Sequence, residues 1–264
     1  MKLVLLGTNG FHPTDNAQTA CYMLPELGIV LDAGSGLHRI SRYLQTSSLD
    51  IYLSHAHSDH FIGLDYLAGA ILKKELTESN LLISDDNFAI ISQRSDDFLS
   101  RVRVHAVESV LTAVQKEPFL NWLNVQWLRL EAEEKLPGNG ILTHFALDHT
   151  IECYGFRLDW PGHSLAYVTD TIAKLEAPYL ESIVGVDVLL HECYLPNRLS
   201  KLAEQLGHSY TLPVAEVAAK AQVGRLILIH HNTLGLGTSE SELASAREIF
   251  PSIEVGLDGM EIEF

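Results

Sequence analysis

The sequence has few cysteines and no long apolar run. Its three cysteines, Cys21, Cys153 and Cys193, stand far apart and form no C-x-x-C pair, which argues against a disulfide framework and against a zinc knuckle. No stretch approaches the roughly 18 apolar residues of a membrane span, and the apolar segment 3–6 is too short for a signal peptide. We therefore expect a protein of the reducing cytoplasm that has no membrane partner.

Basic side chains are also scarce. The 264 residues include 18 lysines and arginines against 34 aspartates and glutamates, which gives a formal net charge of −16. Lys73-Lys74 is the only adjacent basic pair in the sequence. Because an acidic surface without a basic patch repels the phosphate backbone, a nucleic-acid partner is not expected.

Histidine, by contrast, is abundant, and four side chains that can bind a metal ion fall within six residues. His55, His57, Asp59 and His60 follow the apolar run 50–53, which predicts a buried strand. Residues two apart on an extended chain point the same way, so His55 and His57 can hold one ion. A turn would then direct Asp59 and His60 towards a second ion. The alternative is a polar loop with incidental histidines, but so dense a cluster at a strand end has no packing use.

Further metal ligands are predicted where other apolar strands end, because polar side chains converge there without unburying backbone. The candidates are His149 after strand 141–147, Asp170 after 164–169, His191-Glu192 after 186–190 and His230-His231 after 226–229. Asp32 also ends a strand and precedes two glycines. It belongs either to an ordinary turn or to the set of carboxylates that orient a ligand histidine.

The order of the predicted elements indicates two similar halves. Strands are predicted at 2–6, 19–24, 28–31, 50–54, 81–84, 125–130, 141–147, 151–158, 164–169, 186–190, 226–229 and 253–263, and helices at 37–44, 61–76, 96–123, 196–206, 213–222 and 239–249. This order predicts an α/β protein with four layers, in which two sheets pack face to face and helices lie outside. We expect one domain over residues 1–264, with its best internal seam near 131–140.

These motifs resemble the metallo-β-lactamase superfamily, and within it the branch of tRNase Z and related phosphodiesterases. The resemblance runs nearly end to end and rests on Gly7-Thr8-Asn9-Gly10, Asp32-Ala-Gly-Ser-Gly36, His55-x-His57-x-Asp59-His60, His149 before Gly155-Phe156-Arg157, Val168-Thr169-Asp170-Thr171, Leu190-His191-Glu192, Gly207-His208-Ser209, Leu228-Ile229-His230 and Leu257-Asp258-Gly259-Met260-Glu261. It implies an αββα sandwich of two mixed β-sheets, with two divalent metal ions at one edge. Zinc is the expected metal, with manganese or iron as alternatives.

The resemblance also implies a role for each site residue. His55, His57 and His149 would hold one ion, Asp59, His60 and His230 the other, and Asp170 would bridge the two ions, which share a hydroxide. His208, oriented by Glu192, would protonate the leaving oxygen, and Asp59 would accept the proton of the nucleophile. The register favours His149 over His144 and His230 over His231. His191, His163 and His12 would line the pocket or be satisfied polar groups, and His38 and His105 lie in helical patterns. A homodimer is implied as well.

The sequence departs from the tRNase Z pattern at two places. Most bacterial tRNase Z enzymes carry a long arm that grips tRNA between the third histidine and the bridging aspartate, whereas His149 and Asp170 are only 21 positions apart. After His231 the chain reads Asn-Thr-Leu-Gly, without the arginine that can meet phosphate in those enzymes. We therefore expect a small-molecule substrate.

The expected function is hydrolysis of a small phosphodiester, cyclic phosphates included, because the pair Glu192 and His208 resembles that branch. One alternative is a hydrolase of lactones, sulfate esters or other esters that uses the same metal centre. Another is a tRNA 3′-processing endonuclease that borrows an arm from a partner. The non-enzymatic alternative is a metal-binding scaffold.

Overall fold

Two mixed β-sheets form the centre of the molecule. The computed structural model describes residues 1–79 and 84–264. The first sheet has the order β14-β1-β2-β3-β4-β5-β6. Its strands are β1 (Lys2–Gly7), β2 (Cys21–Leu24), β3 (Ile29–Leu31), β4 (Leu49–Tyr52), β5 (Val102–Ala106), β6 (Gln126–Arg129) and β14 (Glu261–Glu263). Strands β3 to β6 run parallel, and β14, β1, β2 and β3 pair antiparallel.

The second sheet has the order β13-β12-β11-β10-β9-β8-β7. Its strands are β7 (Glu133–Leu136), β8 (Gly140–Leu147), β9 (Cys153–Trp160), β10 (His163–Val168), β11 (Val188–Glu192), β12 (Arg225–Ile229) and β13 (Ile253–Val255). Strands β10 to β13 run parallel, and β7 to β10 pair antiparallel. A two-residue turn joins β9 to β10, so the chain has no arm at this point.

Six α-helices of the described residues cover the outer faces of the sheets. They are α1 (Leu64–Glu78), α2 (Asp85–Leu99), α3 (Glu108–Val114), α4 (Ser200–Leu206), α5 (Thr211–Ala221) and α6 (Glu240–Ile249). Short 3₁₀ helices span Ser35–Arg42, Ser58–His60, Pro118–Leu120, Pro137–Asn139, Pro178–Ile183 and Asn197–Leu199. Across the described ranges, no helix combines the length and apolar character needed to cross a membrane.

Alternate side chains along each strand pack into different hydrophobic cores. In β1, Leu3 and Leu5 point into the core between the two sheets, and Val4 and Leu6 point into the core under the helices. A third core lies between the second sheet and helices α5 and α6. Because both faces of each sheet are covered, the sequences of the central strands are nearly continuous apolar runs. The predicted αββα sandwich is confirmed.

Three predicted elements differ from the structure or lie outside it. The predicted helix 96–123 is wrong, since it contains the end of α2, strand β5 and helix α3. The predicted strand 253–263 divides into β13 and β14, which belong to different sheets and are separated by a turn with Gly259 at φ 82°. Residues 81–83 of the predicted strand 81–84 lie outside the described residues.

His105 is not on a helix as its surroundings suggested. It lies buried in β5, with Nε2 at 2.8 Å from Oδ1 of Asp50, and its ring stacks on Tyr52. Val102, Val104 and Ala106 alternate with Arg103 and His105, and all three apolar side chains are fully buried. This alternation is the strand period, which the surrounding helical spacing of apolar residues obscured.

Candidate metal centre

The predicted site residues lie in the loops at one edge of the sandwich, where strands end. The segment from His55 to His60 follows β4, His149 follows β8, Asp170 follows β10, and His230 follows β12. Glu192 is the last residue of β11, and His208 lies between α4 and α5. The structure brings together the nitrogen and oxygen atoms of all these side chains. Several of them, including His55 and His60, are completely buried.

The first group of donor atoms comes from His55, His57, His149 and Asp170. Nδ1 of His57 lies 3.2 Å from Nε2 of His55 and 3.2 Å from Nε2 of His149. Oδ2 of Asp170 lies 3.7 Å and 3.5 Å from the Nε2 atoms of His55 and His149. The four donor atoms all fall within 4.8 Å of one another, which is the spacing of ligands around a single ion.

The second group comes from Asp59, His60 and His230. The Nε2 atoms of His60 and His230 are 3.3 Å apart, and Oδ2 of Asp59 lies 3.4 Å and 3.3 Å from them. Oδ1 of Asp170 lies 3.3 Å from Nε2 of His60 and 3.2 Å from Nε2 of His230. Asp170 therefore faces each group of donors with a different oxygen.

Hydrogen-bond acceptors on the outer side hold the histidine rings of both groups. Nδ1 of His60 lies 2.7 Å from Oδ2 of Asp32, and Nδ1 of His149 lies 2.9 Å from the carbonyl oxygen of Gly207. An acceptor at Nδ1 keeps the proton on that nitrogen and leaves a lone pair on the inward Nε2. Inward lone pairs at these separations repel one another unless a cation lies among them, so the donor set fits a metal ion.

Buried carboxylates add negative charge to the same place. Burial by itself would raise the pKa values of Asp59 and Asp170, but the neighbouring imidazoles of His60 and His230 hold both well below the usual range. Burial lowers the pKa of His55, which favours its neutral, metal-binding form, whereas at His60 the carboxylates of Asp170, Asp59 and Asp32 outweigh burial and raise the pKa. Ionised carboxylates this deeply buried require positive charge beside them. Divalent cations would supply it.

His230 is held in a specific orientation by its backbone and by Gly10. The residue has φ 57°, in the left-handed region, and only 2% of its surface is exposed. His231 points elsewhere, with Nε2 at 3.0 Å from the carbonyl oxygen of Gly256. Of the two adjacent histidines, the structure brings His230 to the centre.

Gly10→Ala is expected to weaken metal binding by the second group of donors. A Cβ at position 10 would lie 2.3 to 2.6 Å from three atoms of the His230 ring, so that the ring must move. We expect at least a tenfold loss of affinity for the ion held by the second group, measured by competition with a chromogenic chelator. Gly237→Ala is the control, because its Cβ meets no atom within 4 Å. Equal affinities in both variants would contradict the role given to Gly10.

Asp32 connects the histidine loop to the second sheet. Its carboxylate accepts hydrogen bonds from the backbone N–H and the hydroxyl of Ser54, both at 2.7 Å, and from the hydroxyl of Tyr167 at 2.6 Å. Oγ of Ser54 in turn lies 2.9 Å from Nδ1 of His55. Of the two interpretations of Asp32, the structure favours a carboxylate that orients ligand histidines.

Tyr167→Phe is expected to destabilise the protein by about 1.5 to 3 kcal/mol, because the variant removes a hydrogen bond to a buried carboxylate. Tyr22→Phe is the matched control. Its ring is equally buried and packs 5.1 Å from the Tyr167 ring, but its hydroxyl has no hydrogen-bond partner among the described residues. We expect Tyr22→Phe to be neutral or stabilising in urea denaturation. Equal losses in the free energy of unfolding would show that the hydrogen bond from Tyr167 to Asp32 does not stabilise the protein.

His208 and Glu192 form a pair beside the donor groups. Nδ1 of His208 lies 3.0 Å from Oε1 of Glu192, which also accepts hydrogen bonds from the backbone N–H groups of Thr171 and Ser209. Burial lowers the pKa of His208, but the Glu192 carboxylate outweighs it and raises the pKa to about 9. Nδ1 is also 4.0 Å from Oδ2 of Asp170. The pair therefore places a protonated imidazole beside the centre.

An open cleft of about 320 Å³ leads to these side chains, a size suited to a small ligand. It is lined by Phe11, His57, Ser58, Asp59, Asp170, Tyr194, His208 and His230. A larger cavity of about 700 Å³ lies near the β6–β7 connection and contains none of the predicted ligands. Phe11 and Tyr194 were not predicted from the sequence. Tyr194 stands two residues after Glu192, and this position was its only signal.

The remaining histidines lie outside the two donor groups. His144 packs on Tyr154, Nε2 of His191 lies 2.9 Å from the hydroxyl of Tyr179, and His163 packs on Phe264. Nε2 of His12 lies 3.1 Å from the hydroxyl of Thr233, and Nδ1 of His38 lies 2.8 Å from the carbonyl oxygen of Ser35.

An αββα sandwich with histidine and aspartate donors at its loop edge defines a metal-dependent hydrolase. A family model described as the beta-lactamase superfamily domain matches residues 28–231. The chain belongs to the metallo-β-lactamase superfamily, and proteins named ribonuclease Z are among its relatives. The resemblance seen in the sequence is thereby confirmed, as is the prediction of an enzyme of the hydrolase class.

Known proteins are similar to the chain over its full length. A ribonuclease Z of Methanosarcina acetivorans is 23% identical over 300 residues, covering 100% of this chain and 98% of the relative. The metallo-β-lactamase fold protein YhfI of Bacillus subtilis superimposes with a TM-score of 0.78 at 18% identity and coverages of 100% and 99%. A diphosphatase of the PhnP family superimposes with a TM-score of 0.68 at 17% identity and coverages of 100% and 97%.

Proposed function

We propose that the protein is a dinuclear metal-dependent phosphodiesterase that acts on a small phosphodiester. The observation that carries this proposal is the position of Asp170, whose two carboxylate oxygens face two separate groups of histidines. His55, His57 and His149 would hold one ion, Asp59, His60 and His230 the other, and Asp170 would contact both. The nitrogen-rich donor set favours zinc, and it also suits manganese and iron.

Two bound divalent ions would supply Lewis-acid stabilisation of the phosphoryl oxygens and an activated water. Asp59 lies in the cleft, and its carboxylate accepts a hydrogen bond from the backbone N–H of Phe11 at 2.7 Å. In this mechanism Asp59 would orient the attacking water by accepting a hydrogen bond from it, and the proton of that water would pass to solvent, since a carboxylate whose pKa lies well below the usual range is a weak base. As the new P–O bond forms, the bond from phosphorus to the leaving oxygen breaks. His208 then donates its proton to that oxygen, and Glu192 keeps the imidazole oriented.

Four features support a small substrate. The cleft has a volume of about 320 Å³, and β9 continues into β10 through a two-residue turn, where an RNA-gripping arm would have to emerge. The net charge of −16 also disfavours a polyanionic substrate. The structural similarity to a diphosphatase is consistent with a small phosphate ester.

Processing of tRNA is the second candidate, because a full-length relative is named ribonuclease Z. The aligned segment of 300 residues exceeds the 264 residues of this chain, so that relative carries insertions absent here. A partner protein would have to provide the missing RNA contacts. Hydrolysis of precursor tRNA at physiological salt that requires both the protein and an added cell extract depleted of its own tRNA-processing activity, and that Asp59→Ala removes, would favour this candidate over the first.

A substrate panel tests the proposal. Protein loaded with zinc or manganese is assayed with bis(p-nitrophenyl) phosphate, a nucleoside 2′,3′-cyclic phosphate, an aryl sulfate, a lactone and precursor tRNA. We expect the two small phosphodiesters to give the highest kcat/KM, and Asp59→Ala to remove that activity. Turnover of the sulfate or the lactone without turnover of any phosphodiester would reject the proposal and favour an ester hydrolase.

A further inference from the structure

Phe11 lies at the mouth of the cleft, in the loop between β1 and β2. Its side chain is 64% exposed, and its residue lines the cleft together with His57 and Asp59. The backbone N–H of Phe11 donates a hydrogen bond to Oδ2 of Asp59 at 2.7 Å. The backbone of this residue is therefore fixed to the centre, and its ring stays at the surface.

The conformation of Phe11 is costly for its residue type. The residue has φ 67°, in the left-handed region, which a bulky side chain rarely adopts. Glycine would adopt the same conformation without a steric penalty. Strain of this kind persists where it supports function.

Packing does not account for the ring. Its one aromatic contact in the described part of the chain is with the neighbouring His12, whose ring centroid lies 5.1 Å away. Phe11 is also absent from the buried cores. The exposed ring therefore contributes little to folding.

Tyr194, the other aromatic residue of the cleft, is already engaged. It is 7% exposed, and its ring centroid lies 4.4 Å from that of His208 and 5.5 Å from that of His230. Of these two rings, Phe11 is the one with a face open to a ligand.

We propose that Phe11 is a specificity-determining residue that stacks on a planar aromatic group of the substrate. In a nucleotide phosphodiester, the planar group attached to the sugar that carries the phosphate is a nucleobase. Every nucleobase offers a π-face to an aromatic side chain. The substrate class is thereby narrowed to small nucleotide phosphodiesters. This inference rests on the proposed phosphodiesterase function, since it names the group attached to the phosphate.

Ligand binding tests the stacking independently of turnover. The metal-loaded protein is titrated calorimetrically with uridine 5′-monophosphate and with ribose 5-phosphate, which differ by the base. We expect the nucleotide to bind about tenfold more tightly, in keeping with the strength of base–aromatic stacking. Phe11→Ala and Phe11→Gly should lose this difference. Phe88→Ala, which removes an exposed phenylalanine of α2 outside the cleft, should keep it.

Turnover and stability separate stacking from a backbone effect. Thymidine 5′-p-nitrophenyl phosphate and methyl p-nitrophenyl phosphate share a leaving group, so that Phe11→Ala should raise KM about tenfold for the first only. Phe11→Gly should melt at or above the temperature of the wild type, because glycine relieves the strain at φ 67°.

Three outcomes would overturn the inference. Equal losses on the two p-nitrophenyl substrates would show that residue 11 acts through Asp59, and a lower melting temperature in Phe11→Gly would show that the ring is structural. Equal binding of the nucleotide and the sugar phosphate to the wild type would show that nothing stacks. Absence of turnover of both substrates by the wild type would instead reject the phosphodiesterase function, and the binding titration would still decide the role of Phe11.

Discussion

Asp170→Ala is expected to lower kcat/KM for bis(p-nitrophenyl) phosphate by roughly three orders of magnitude or more, because transition-state stabilisation worth several kcal/mol depends on the ions that it would hold. The carboxylate lies among four histidines, with separations of 3.2 to 3.7 Å between its oxygens and their Nε2 atoms. Its removal takes one donor from the first group and also removes the carboxylate oxygen that faces the second. Metal content after dialysis should therefore fall from two ions per chain to one or fewer, as measured by elemental analysis.

Two further variants serve as a comparison and a control for Asp170→Ala. Asp170→Asn keeps the shape and one oxygen but loses the charge, so we expect it to retain one ion more often than Asp170→Ala and to remain severely impaired. Asp159→Ala removes a partly exposed carboxylate of β9 that pairs with Arg157, and it should leave both metal content and activity unchanged. Two tightly bound ions in Asp170→Ala would contradict the bridging position of this side chain.

His208→Ala is expected to reduce kcat by about 10² to 10⁴-fold for a phosphodiester with an alkyl leaving group. p-Nitrophenolate departs without protonation, so the loss for bis(p-nitrophenyl) phosphate should be much smaller. We assign the proton donation to His208 because its side chain lines the cleft and its Nδ1 lies 3.0 Å from Oε1 of Glu192. The measurement is kcat for both leaving groups, in the wild type and in the variant.

Glu192→Gln and His163→Ala complete this experiment. Glu192→Gln keeps the size of the side chain but removes the anion beside His208, and it should show the same leaving-group dependence with a smaller amplitude. His163 lies at the start of β10 against Phe264, away from the cleft, and its replacement should have no effect. If His208→Ala slowed both leaving groups equally, His208 would act in binding and not as a proton donor.

Most of the fold was predictable because the chain repeats simple local patterns. Apolar runs such as those of β4 and β12 identify strands buried on both faces, and the order of elements gives the two layers of sheet. Strand β5 was mistaken for part of a helix because Val107, Val110 and Val114 nearby follow helical spacing. The partners of β5 in the sheet, β4 and β6, were needed to resolve this.

The meeting of the histidine and aspartate side chains at one edge was predictable for a different reason. Each stands at the end of an apolar strand or in a dense motif, and chemistry restricts which side chains bind metal. The role of Asp32 remained open because its partners His60 and Tyr167 lie 28 and 135 residues away. Phe11 gave no signal, since its importance lies in a backbone angle and an exposed face that composition does not encode.

The distribution of donors along the chain has a consequence for biogenesis. His60 and His230 are separated by 170 residues, and the second sheet supplies Asp170 between them. Contacts of such long range form late, because the cost of closing large loops must first be met. During synthesis, the segment from His55 to His60 emerges long before its partners and offers only part of a coordination shell. High-affinity metal uptake would then come late in maturation, and bound ions would mark chains whose two halves have docked.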